Sequence, residues 1–393
     1  MKFKRIFVIV MDSVGAGAAK DAAAYGDEGT NTLNHASYSL KEFKIPTLES
    51  LGLGKITDIN NTRSDIEAKA SYGKLEEMSV GKDTLTGHWE MMGLDVKVPF
   101  PSFTEHGFPK ELIDKLEAEI GRKTIGNYAA SGTEIIKVLG PEHMKTGAII
   151  VYTSSDSVLQ IAANEAIVPV TELYSICDKA RKICSDNPKW MVGRIIARPF
   201  IGTAPDNFVR TANRHDYSVS PSSKTTLDYL KKAGYDVIGI GKISDIFNTH
   251  GITESYHNES NHNGMEHTIY CADKDFTGLC FVNLVDFDSK YGHRRNAQGY
   301  AKCIMEFDND LSELLKHLRD DDLLMITADH GNDPTHTGTD HTRENVPILV
   351  YNKNIVSKDL GLIHSFSSIG KTISNNFGVK STQNGNKINI KLK

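Results

Sequence analysis

Five short apolar segments constrain the fold of this chain more than any other feature of its sequence. They span residues 5–10, 236–241, 278–286, 323–327 and 347–351. Each is rich in β-branched, aromatic or other apolar residues, without regular alternation of polar and apolar positions. This pattern is typical of strands that are buried on both faces of a sheet.

Segments with helical spacing of their apolar residues alternate with these strands. Residues 225–234 and 367–378 both end in glycine, which is a common helix stop. Residues 297–318 form a longer segment with the same period. Strands that alternate with helices predict an α/β fold, in which a mainly parallel sheet lies between helices.

The pattern restarts between about residues 100 and 217. This stretch contains helix-like segments and strand-like segments of its own, and proline or serine interrupts the chain at both of its ends. The helix-like segments are 109–121 and 170–184, and the strand-like segments are 147–153 and 191–197. We therefore expect residues 101–216 to form a smaller α/β cap domain. It would be inserted into a core made of residues 1–100 and 217–393.

Composition excludes several classes of protein. The chain has 393 residues and a net charge of -5, so it lacks the basic surface that nucleic-acid binding requires. Its five cysteines form no C-x-x-C pair, which favours a reducing compartment and therefore the cytoplasm. No apolar run approaches the roughly 18 residues of a membrane span. The apolar part of residues 1–11 is too short for a signal peptide, so a first buried strand is the better interpretation.

Carboxylates and imidazoles follow several of the predicted strands. In an open α/β sheet, chemistry concentrates at the carboxyl ends of the strands. Three carboxylates and three imidazoles suffice for two metal ions with oxygen and nitrogen ligands, a recurring device for phosphoryl transfer. The six candidates are Asp12, Asp288, His293, Asp329, His330 and His341. Two alternatives stay open: Asp286 could replace Asp288 as a ligand, and His293 could be a surface residue.

A possible nucleophile lies in the segment 81–94, "GKDTLTGHWEMMGL". Thr84 occupies the expected cap position of a helix, where N–H groups and the helix dipole favour a phosphate. A threonine hydroxyl needs activation before it can act as a nucleophile, and a metal ion can supply it. On this segment alone we prefer the other interpretation, a plain helix cap with Thr86 as a second polar residue.

Six motifs are spread along the chain: "MDSVGAG", "GKDTLTGHWEMMGL", "YTSSDSVLQIAA", "VGRIIARPF", "VDFDSKYGHRR" and "ADHGNDPTHTGTDHTRENVP". Together they resemble the bacterial phosphopentomutase family of the alkaline phosphatase superfamily. The similarity runs nearly end to end and includes the inserted region. It implies an alkaline-phosphatase-like core with a cap.

The resemblance also implies roles for individual residues. Thr84 would carry a phosphoryl group, and the six ligands would hold two Mn²⁺ ions. Asp12, Asp329 and His330 would bind one ion, and Asp288, His293 and His341 would bind the other. A sugar bisphosphate, such as glucose 1,6-bisphosphate, would act as activator. Substrate contacts would come from Asp156, Arg194, Arg210 and Lys242.

The implied reaction interconverts ribose 1-phosphate and ribose 5-phosphate, and the corresponding 2-deoxyribose phosphates, through a 1,5-bisphosphate. The partners are therefore small pentose phosphates. A metal-dependent phosphatase of the same superfamily is the main alternative. A sulfatase would require a modified cysteine or serine at residue 84, and a phosphoglycerate mutase would usually carry serine there. A non-catalytic metal-binding or sugar-phosphate-sensing protein would be expected to lack a ligand or the nucleophile, and none is missing.

Overall fold

The computed structural model describes residues 2–154, 157–382 and 384–393. The strands are β1 (Arg5–Met11), β2 (Ser71–Glu76), β3 (Thr124–Ala129), β4 (Ile149–Thr153), β5 (Val158–Asn164), β6 (Arg194–Ile201), β7 (Val209–Arg210), β8 (His215–Ser218), β9 (Asp236–Ile240), β10 (Glu254–Tyr256), β11 (Gly278–Leu284), β12 (Asp322–Thr327), β13 (Val346–Tyr351) and β14 (Asp359–His364).

The helices are α1 (Thr32–Tyr38), α2 (Pro46–Leu51), α3 (Thr84–Met91), α4 (Lys110–Ile120), α5 (Gly132–Thr146), α6 (Val170–Ser185), α7 (Thr226–Lys232), α8 (Ile243–Ile246), α9 (Asn261–Asp273), α10 (Ala297–His317) and α11 (Ser368–Phe377). Phe287–Gly292 forms a π-helical turn directly after β11. Such turns are rare in proteins overall, and many of those that occur lie at functional sites.

The described chain divides into two compact units. One comprises Met1–Val98 with Pro221–Lys393, and the other comprises Pro99–Ser220. The first contains an eight-stranded sheet in the order β10-β9-β11-β1-β12-β13-β2-β14. Its strands pair in parallel except on both sides of β13, which is antiparallel to β12 and to β2. The prediction of a mixed α/β fold with a mainly parallel sheet is confirmed.

The centre of this sheet explains why polar residues meet at one edge. β1 lies between β11 and β12 and is parallel to both, with Val10 opposite Asn283 and opposite Thr327. All three strands are buried along their whole length, which agrees with their uninterrupted apolar sequences. Residues that follow the three strands are therefore brought to the same edge of the sheet.

The second unit has its own sheet, in the order β3-β4-β5-β6-β7, with β8 paired to β6. Helices α4 and α6 pack on one face, and the buried side chains there include Leu112, Leu173 and Ile195. Helix α5 covers part of the opposite face through Ile135 and Ile136. This unit therefore has two apolar layers of its own, as expected of a separately packed α/β body.

Among the described residues, no helix has both the length and the apolar character needed to cross a bilayer. The five cysteines are buried free thiols.

Candidate metal centre and nucleophile

Asp12 and Ser13 form the turn that ends β1. Asp12 is 1% exposed, and its backbone N–H donates to the carbonyl oxygen of Leu284 at 3.2 Å. Ser13 has a φ of 73°, in the left-handed region that serine rarely adopts. In this conformation its N–H donates to Asp329 Oδ1 at 3.0 Å. The strained turn thus fixes one oxygen of Asp329 beside Asp12.

Asp12, Asp329 and His330 form the first candidate metal-binding group, with one ligand atom each within 4.8 Å of the others. His330 Nε2 lies 3.6 Å from Asp12 Oδ1 and 3.4 Å from Asp329 Oδ2. All three side chains are almost fully buried. The first group is therefore a closed cluster of two carboxylates and one imidazole.

Asp288, His293 and His341 form the second candidate group. His293 Nε2 lies 3.1 Å from Asp288 Oδ2, and His341 Nε2 lies 3.4 Å from Asp288 Oδ1. The His293 side chain is 27% exposed, so this group is more accessible than the first. The His341 ring stacks on the His330 ring at a centroid distance of 3.9 Å, which makes the two groups direct neighbours.

The three histidines share one arrangement. In each ring Nδ1 faces a backbone carbonyl oxygen: that of Gly331 for His330, Thr339 for His293 and Lys82 for His341, at 3.0, 2.7 and 3.0 Å. A carbonyl only accepts, so Nδ1 must carry a hydrogen, and in the neutral imidazole Nε2 then presents a lone pair. Metal-binding histidines typically have this second contact, which fixes the tautomer and the ring orientation.

Two observations favour a cation at these groups. His293 Nε2 and His341 Nε2 lie 3.2 Å apart, and two lone pairs at that distance repel unless a positive charge lies near both. Among the described residues, the buried atoms Asp12 Oδ1 and Asp329 Oδ2 accept no hydrogen bond. Buried carboxylate oxygens without donors are costly unless a metal ion binds them. Oxygen and nitrogen donors without thiolate suit Mn²⁺, Zn²⁺ or Mg²⁺.

The two carboxyl groups of the first group, Asp12 and Asp329, have pKa values shifted in opposite directions. Burial, together with repulsion from Asp329 and Asp288, raises the pKa of Asp12 to about 7. Burial would also raise the pKa of Asp329, but the neighbouring His330 and His88 outweigh it and lower this pKa to about 2. Burial lowers the pKa of His330 below its ordinary value. In the metal-free protein near pH 7, Asp12 is therefore the carboxyl group of the first group that is partly protonated.

This division predicts a pH dependence for metal binding to the first group. Because a metal ion displaces the proton of Asp12, we expect Mn²⁺ affinity to fall up to about tenfold per pH unit below about pH 7 and to level off above it. The folding stability of the metal-free protein depends on pH in the opposite direction from its Mn²⁺ affinity. A raised pKa favours the folded state at low pH, and this contribution is lost as the pH rises through about 7.

Calorimetric titration of the metal-free protein with Mn²⁺ at about pH 6, 7 and 8 measures this effect. Buffers of different ionisation enthalpy also reveal the released proton. An Mn²⁺ affinity that stays constant over this range would contradict the assignment of the raised pKa to Asp12.

Thr84 is the first residue of α3, and Asp83 is its cap. Asp83 is extended and accepts from the Thr86 backbone N–H, so the expectation that Thr84 itself occupies the cap position was wrong by one residue. Asp83 Oδ2 also accepts from the Thr86 hydroxyl at 2.6 Å. In contrast, Thr84 Oγ1 lies 3.2 Å from His330 Nε2. The structure thus directs Thr84 to the candidate metal groups and occupies the hydroxyl of Thr86 elsewhere.

Two buried residues after His341 hold the surrounding loops. Arg343 Nη1 donates to the Gly81 carbonyl oxygen at 2.7 Å and to Glu77 Oε2 at 2.6 Å, which anchors the loop before Thr84. Glu344 Oε2 accepts from the backbone N–H of Gly17 at 3.1 Å, which anchors the loop after Asp12. The "HTRE" stretch therefore connects the two loops on which the site depends.

The four residues expected to contact substrate lie in different places. Lys242 follows β9 at the start of α8, and its charge lowers the pKa of nearby Asp12. Arg194 lies on β6, 3.7 Å from the Asp216 carboxylate, and Arg210 lies on β7; both belong to the other compact unit. Asp156 lies outside the described residues.

Of the alternatives left open, the structure places Asp286 apart from both groups. It accepts from the Asn261 backbone N–H at 2.9 Å and pairs with Lys290 at 3.0 Å. Asp288 is held by Asn332, whose amide donates to Asp288 Oδ1 at 2.7 Å. His293 is half-buried against Asp288 rather than a surface residue.

The sequence analysis missed two buried polar residues, His88 and Asn283. Asn283 donates to Asp12 Oδ2 at 2.9 Å, and His88 lies between Asn283 and Asp329. Both left a signal. Asn283 is a polar residue inside an apolar strand, and His88 follows Thr84 by four residues, which places both on one helix face.

Comparisons with known proteins show the family to which the chain belongs. The model of the metalloenzyme superfamily matches residues 4–381. A phosphopentomutase from Levilactobacillus brevis is 52% identical over 397 residues, which cover 100% of both chains. The solved structure of the PH0037 protein from Pyrococcus horikoshii has a TM-score of 0.51 at 15% identity and covers 98% of this chain and 100% of that one, a likeness of fold. The chain therefore belongs to the phosphopentomutase family within the metalloenzyme superfamily.

Proposed function

We propose that the chain is an isomerase that interconverts ribose 1-phosphate and ribose 5-phosphate, and the 2-deoxyribose phosphates, through a phosphothreonine. Membership of the phosphopentomutase family supports the reaction. One geometric observation carries the mechanism: the Thr84 hydroxyl lies 3.2 Å from His330 Nε2, where the two candidate metal groups meet. A hydroxyl at this point is well placed to store a phosphoryl group between two cations.

The first group would hold one Mn²⁺ ion and the second group another. The oxygen and nitrogen donors, the orientation of the three imidazoles and the unpartnered carboxylate oxygens support this choice. Bound divalent ions neutralise the charge on the oxygens of a transferring phosphoryl group and lower the pKa of a coordinated hydroxyl.

Thr84 would take part in both phosphoryl transfers of the reaction. Phosphorylated Thr84 gives its phosphoryl group to the free hydroxyl of the sugar monophosphate, and the proton of that hydroxyl ends on Thr84 Oγ1. The product of this half-reaction is a 1,5-bisphosphate. After the bisphosphate reorients, Thr84 Oγ1 attacks the other phosphorus, loses its proton to the released sugar oxygen and becomes phosphorylated again. The N–H groups at the start of α3 favour the phosphate on Thr84.

Other parts of the chain would bind the substrate and the activator. Asp156 and Arg194 would contact sugar hydroxyls and phosphate, and Arg210 and Lys242 would bind the distal phosphate. A sugar bisphosphate such as glucose 1,6-bisphosphate would restore the phosphate on Thr84 after its loss. The free cysteines are consistent with a cytoplasmic location.

Water must be excluded from a phosphoenzyme, because hydrolysis would turn the mutase into a phosphatase. Residues 101–216 would act as a cap that closes over the bound sugar phosphate. The separately packed unit Pro99–Ser220 supports this division of labour.

Excision of the cap tests its role. We expect a protein in which a short glycine–serine linker replaces residues 99–220 to bind Mn²⁺ but to lose isomerisation below detection. Any residual hydrolysis of a simple phosphate monoester by such a protein would come from the core unit, which contains Thr84 and the six proposed ligands. Calorimetry and the two assays measure these properties. Efficient isomerisation of ribose 1-phosphate by the excised protein would refute a cap that builds the sugar site.

A coupled assay of the purified chain tests the function itself. With Mn²⁺ and a catalytic amount of glucose 1,6-bisphosphate, ribose 1-phosphate should be converted to ribose 5-phosphate without equivalent release of inorganic phosphate. Stoichiometric release of phosphate would instead identify the chain as a metal-dependent phosphatase.

A further inference from the structure

His88 is a buried histidine that belongs to neither candidate metal group. It lies on α3, it is 0% exposed, and its ring packs at 5.7 Å from the Phe281 ring. Nδ1 lies 2.9 Å from the Thr84 carbonyl oxygen and 3.3 Å from Asp329 Oδ2. Nδ1–H donates its hydrogen bond to the nearer atom, the Thr84 carbonyl oxygen, and its dipole also attracts the Asp329 carboxylate.

Asn283 joins the other side of the His88 ring to Asp12. The Asn283 amide nitrogen lies 2.9 Å from Asp12 Oδ2 and 3.3 Å from His88 Nε2. An amide nitrogen carries two hydrogens, so it can donate one to each of these atoms. His88 Nε2 is then an acceptor, and the imidazole hydrogen must be on Nδ1, which faces Thr84 and Asp329.

The opposite orientation of the Asn283 amide is unfavourable. Metal binding requires Asp12 to be ionised, and the opposite orientation would then place the amide oxygen 2.9 Å from its carboxylate, where two acceptors would face each other. The observed orientation therefore defines one continuous chain of contacts. It runs from Asp12 through Asn283 and His88 to Asp329.

Each of the two carboxylates in the first group has one oxygen held and one oxygen available. Asn283 holds Asp12 Oδ2, and the Ser13 backbone N–H holds Asp329 Oδ1. Among the described residues, Asp12 Oδ1 and Asp329 Oδ2 are the carboxylate oxygens of this group that accept no hydrogen bond. These two atoms are the ones nearest to His330 Nε2.

The helix that carries Thr84 is pressed against the same residues. A Cβ on Gly87 would lie 2.2 Å from the Asp329 carbonyl oxygen, so only glycine permits the observed approach of α3. The neighbouring His88 thus links the backbone of Thr84 to the ligands of the first group over a very short path.

We infer that His88 and Asn283 are positioning residues, which set the spacing of Asp12 and Asp329 for one cation and tie that spacing to the helix of Thr84. Neither residue is assigned contact with the substrate or with a metal ion. The inference rests on the proposed metal-binding role of the first group.

The test is calorimetric titration of the metal-free full chain with Mn²⁺, which requires no activity. We expect His88→Leu to weaken Mn²⁺ binding about 10- to 100-fold at one site, the range found when an outer-shell partner is lost. His143→Leu is the matched control. His143 is also buried, with Nδ1 2.6 Å from the Ala148 carbonyl oxygen, but it lies in the other compact unit. This variant should retain wild-type Mn²⁺ affinity even if its thermal stability falls.

Two conservative variants separate positioning from simple filling of space. Asparagine at residue 88 can place an N–H near the Nδ1 position, whereas glutamine reaches the Nε2 position. We therefore expect His88→Asn to keep most of the Mn²⁺ affinity and His88→Gln to lose it. If His88 only filled space, both variants would change the unfolding temperature, but His88→Asn would not bind Mn²⁺ more tightly than His88→Gln.

Asn283→Leu tests the second half of the contact chain. Its loss of Mn²⁺ affinity should overlap with that of His88→Leu, so that the double variant loses less than the product of the two single effects. Wild-type affinity in both single variants would overturn the inference alone. Failure of the wild-type chain to bind Mn²⁺ would overturn the proposed metal function as well, and the mutase assay on the same samples distinguishes these outcomes.

Discussion

Thr84→Ala should abolish mutase turnover, with a fall of roughly 10⁴-fold or more, because each catalytic cycle requires a residue that stores the phosphoryl group. The variant should fold and bind Mn²⁺ like the wild type. Its missing hydroxyl lies 3.2 Å from His330 Nε2 and has no structural partner in the cap of α3, which Asp83 forms with Thr86. The coupled assay measures turnover, and calorimetry measures Mn²⁺ binding.

Thr86→Val is the matched control for this prediction. Thr86 is buried and its hydroxyl donates to Asp83, so its loss should cost about 1 kcal/mol of stability and leave turnover within about tenfold. Wild-type protein treated with a sugar bisphosphate should gain one phosphate on the tryptic peptide 83–97. Fragmentation spectra that place the phosphate on Thr86, or near-normal turnover in Thr84→Ala, would refute the phosphothreonine mechanism.

Asp288→Asn should remove one Mn²⁺ site and nearly all mutase activity. Two histidines hold the pKa of the Asp288 carboxyl well below its ordinary value even though burial opposes this, so the group is a permanent anion between His341 and His293. Asparagine keeps the shape and loses the charge. We expect the loss of Mn²⁺ affinity to exceed the roughly 10- to 100-fold typical of outer-shell changes.

Asp286→Asn provides a control with the same change two residues away. Asp286 bonds to the Asn261 backbone and to Lys290, and it lies outside both metal-binding groups. We expect this variant to keep both Mn²⁺ sites and turnover within about tenfold. If Asp286→Asn loses a metal ion and Asp288→Asn does not, the ligand of the second group has been misassigned. Elemental analysis and calorimetry decide between the two.

The two candidate groups differ in their exposure to solvent, and therefore in how easily a metal ion from solvent can reach them. The side chains of Asp12, Asp329 and His330 are at most 1% exposed, whereas His293 is 27% exposed. Carboxylates of both groups are held by amides: Asn283 and the Ser13 backbone hold those of the first group, and Asn332 holds Asp288 of the second.

Sequence alone was sufficient for the fold class and the family. Strands β1, β11 and β12 are fully buried, so their apolar runs were visible without any knowledge of their neighbours. Among the strands of the eight-stranded sheet, β2, β10 and β14 went unrecognised. β10 and β14 are edge strands without a fully buried residue, and β2 contains two charged residues and a glycine, so none of the three has the apolar signature of a buried strand.

The sequence also determined which residue types could form a site, because each candidate ligand follows a strand or lies in a polar loop. Only the tertiary structure distinguishes the surroundings of neighbours with the same chemistry. It places Asp288 rather than Asp286 beside two histidines, and Thr84 rather than Thr86 beside His330, since side-chain direction depends on a π-helical turn and on a cap one residue earlier than expected. It also revealed His88 and Asn283, which act through contacts between residues 195 positions apart. Local sequence patterns cannot predict such contacts, because the contacts form only when β1, β11 and α3 pack together.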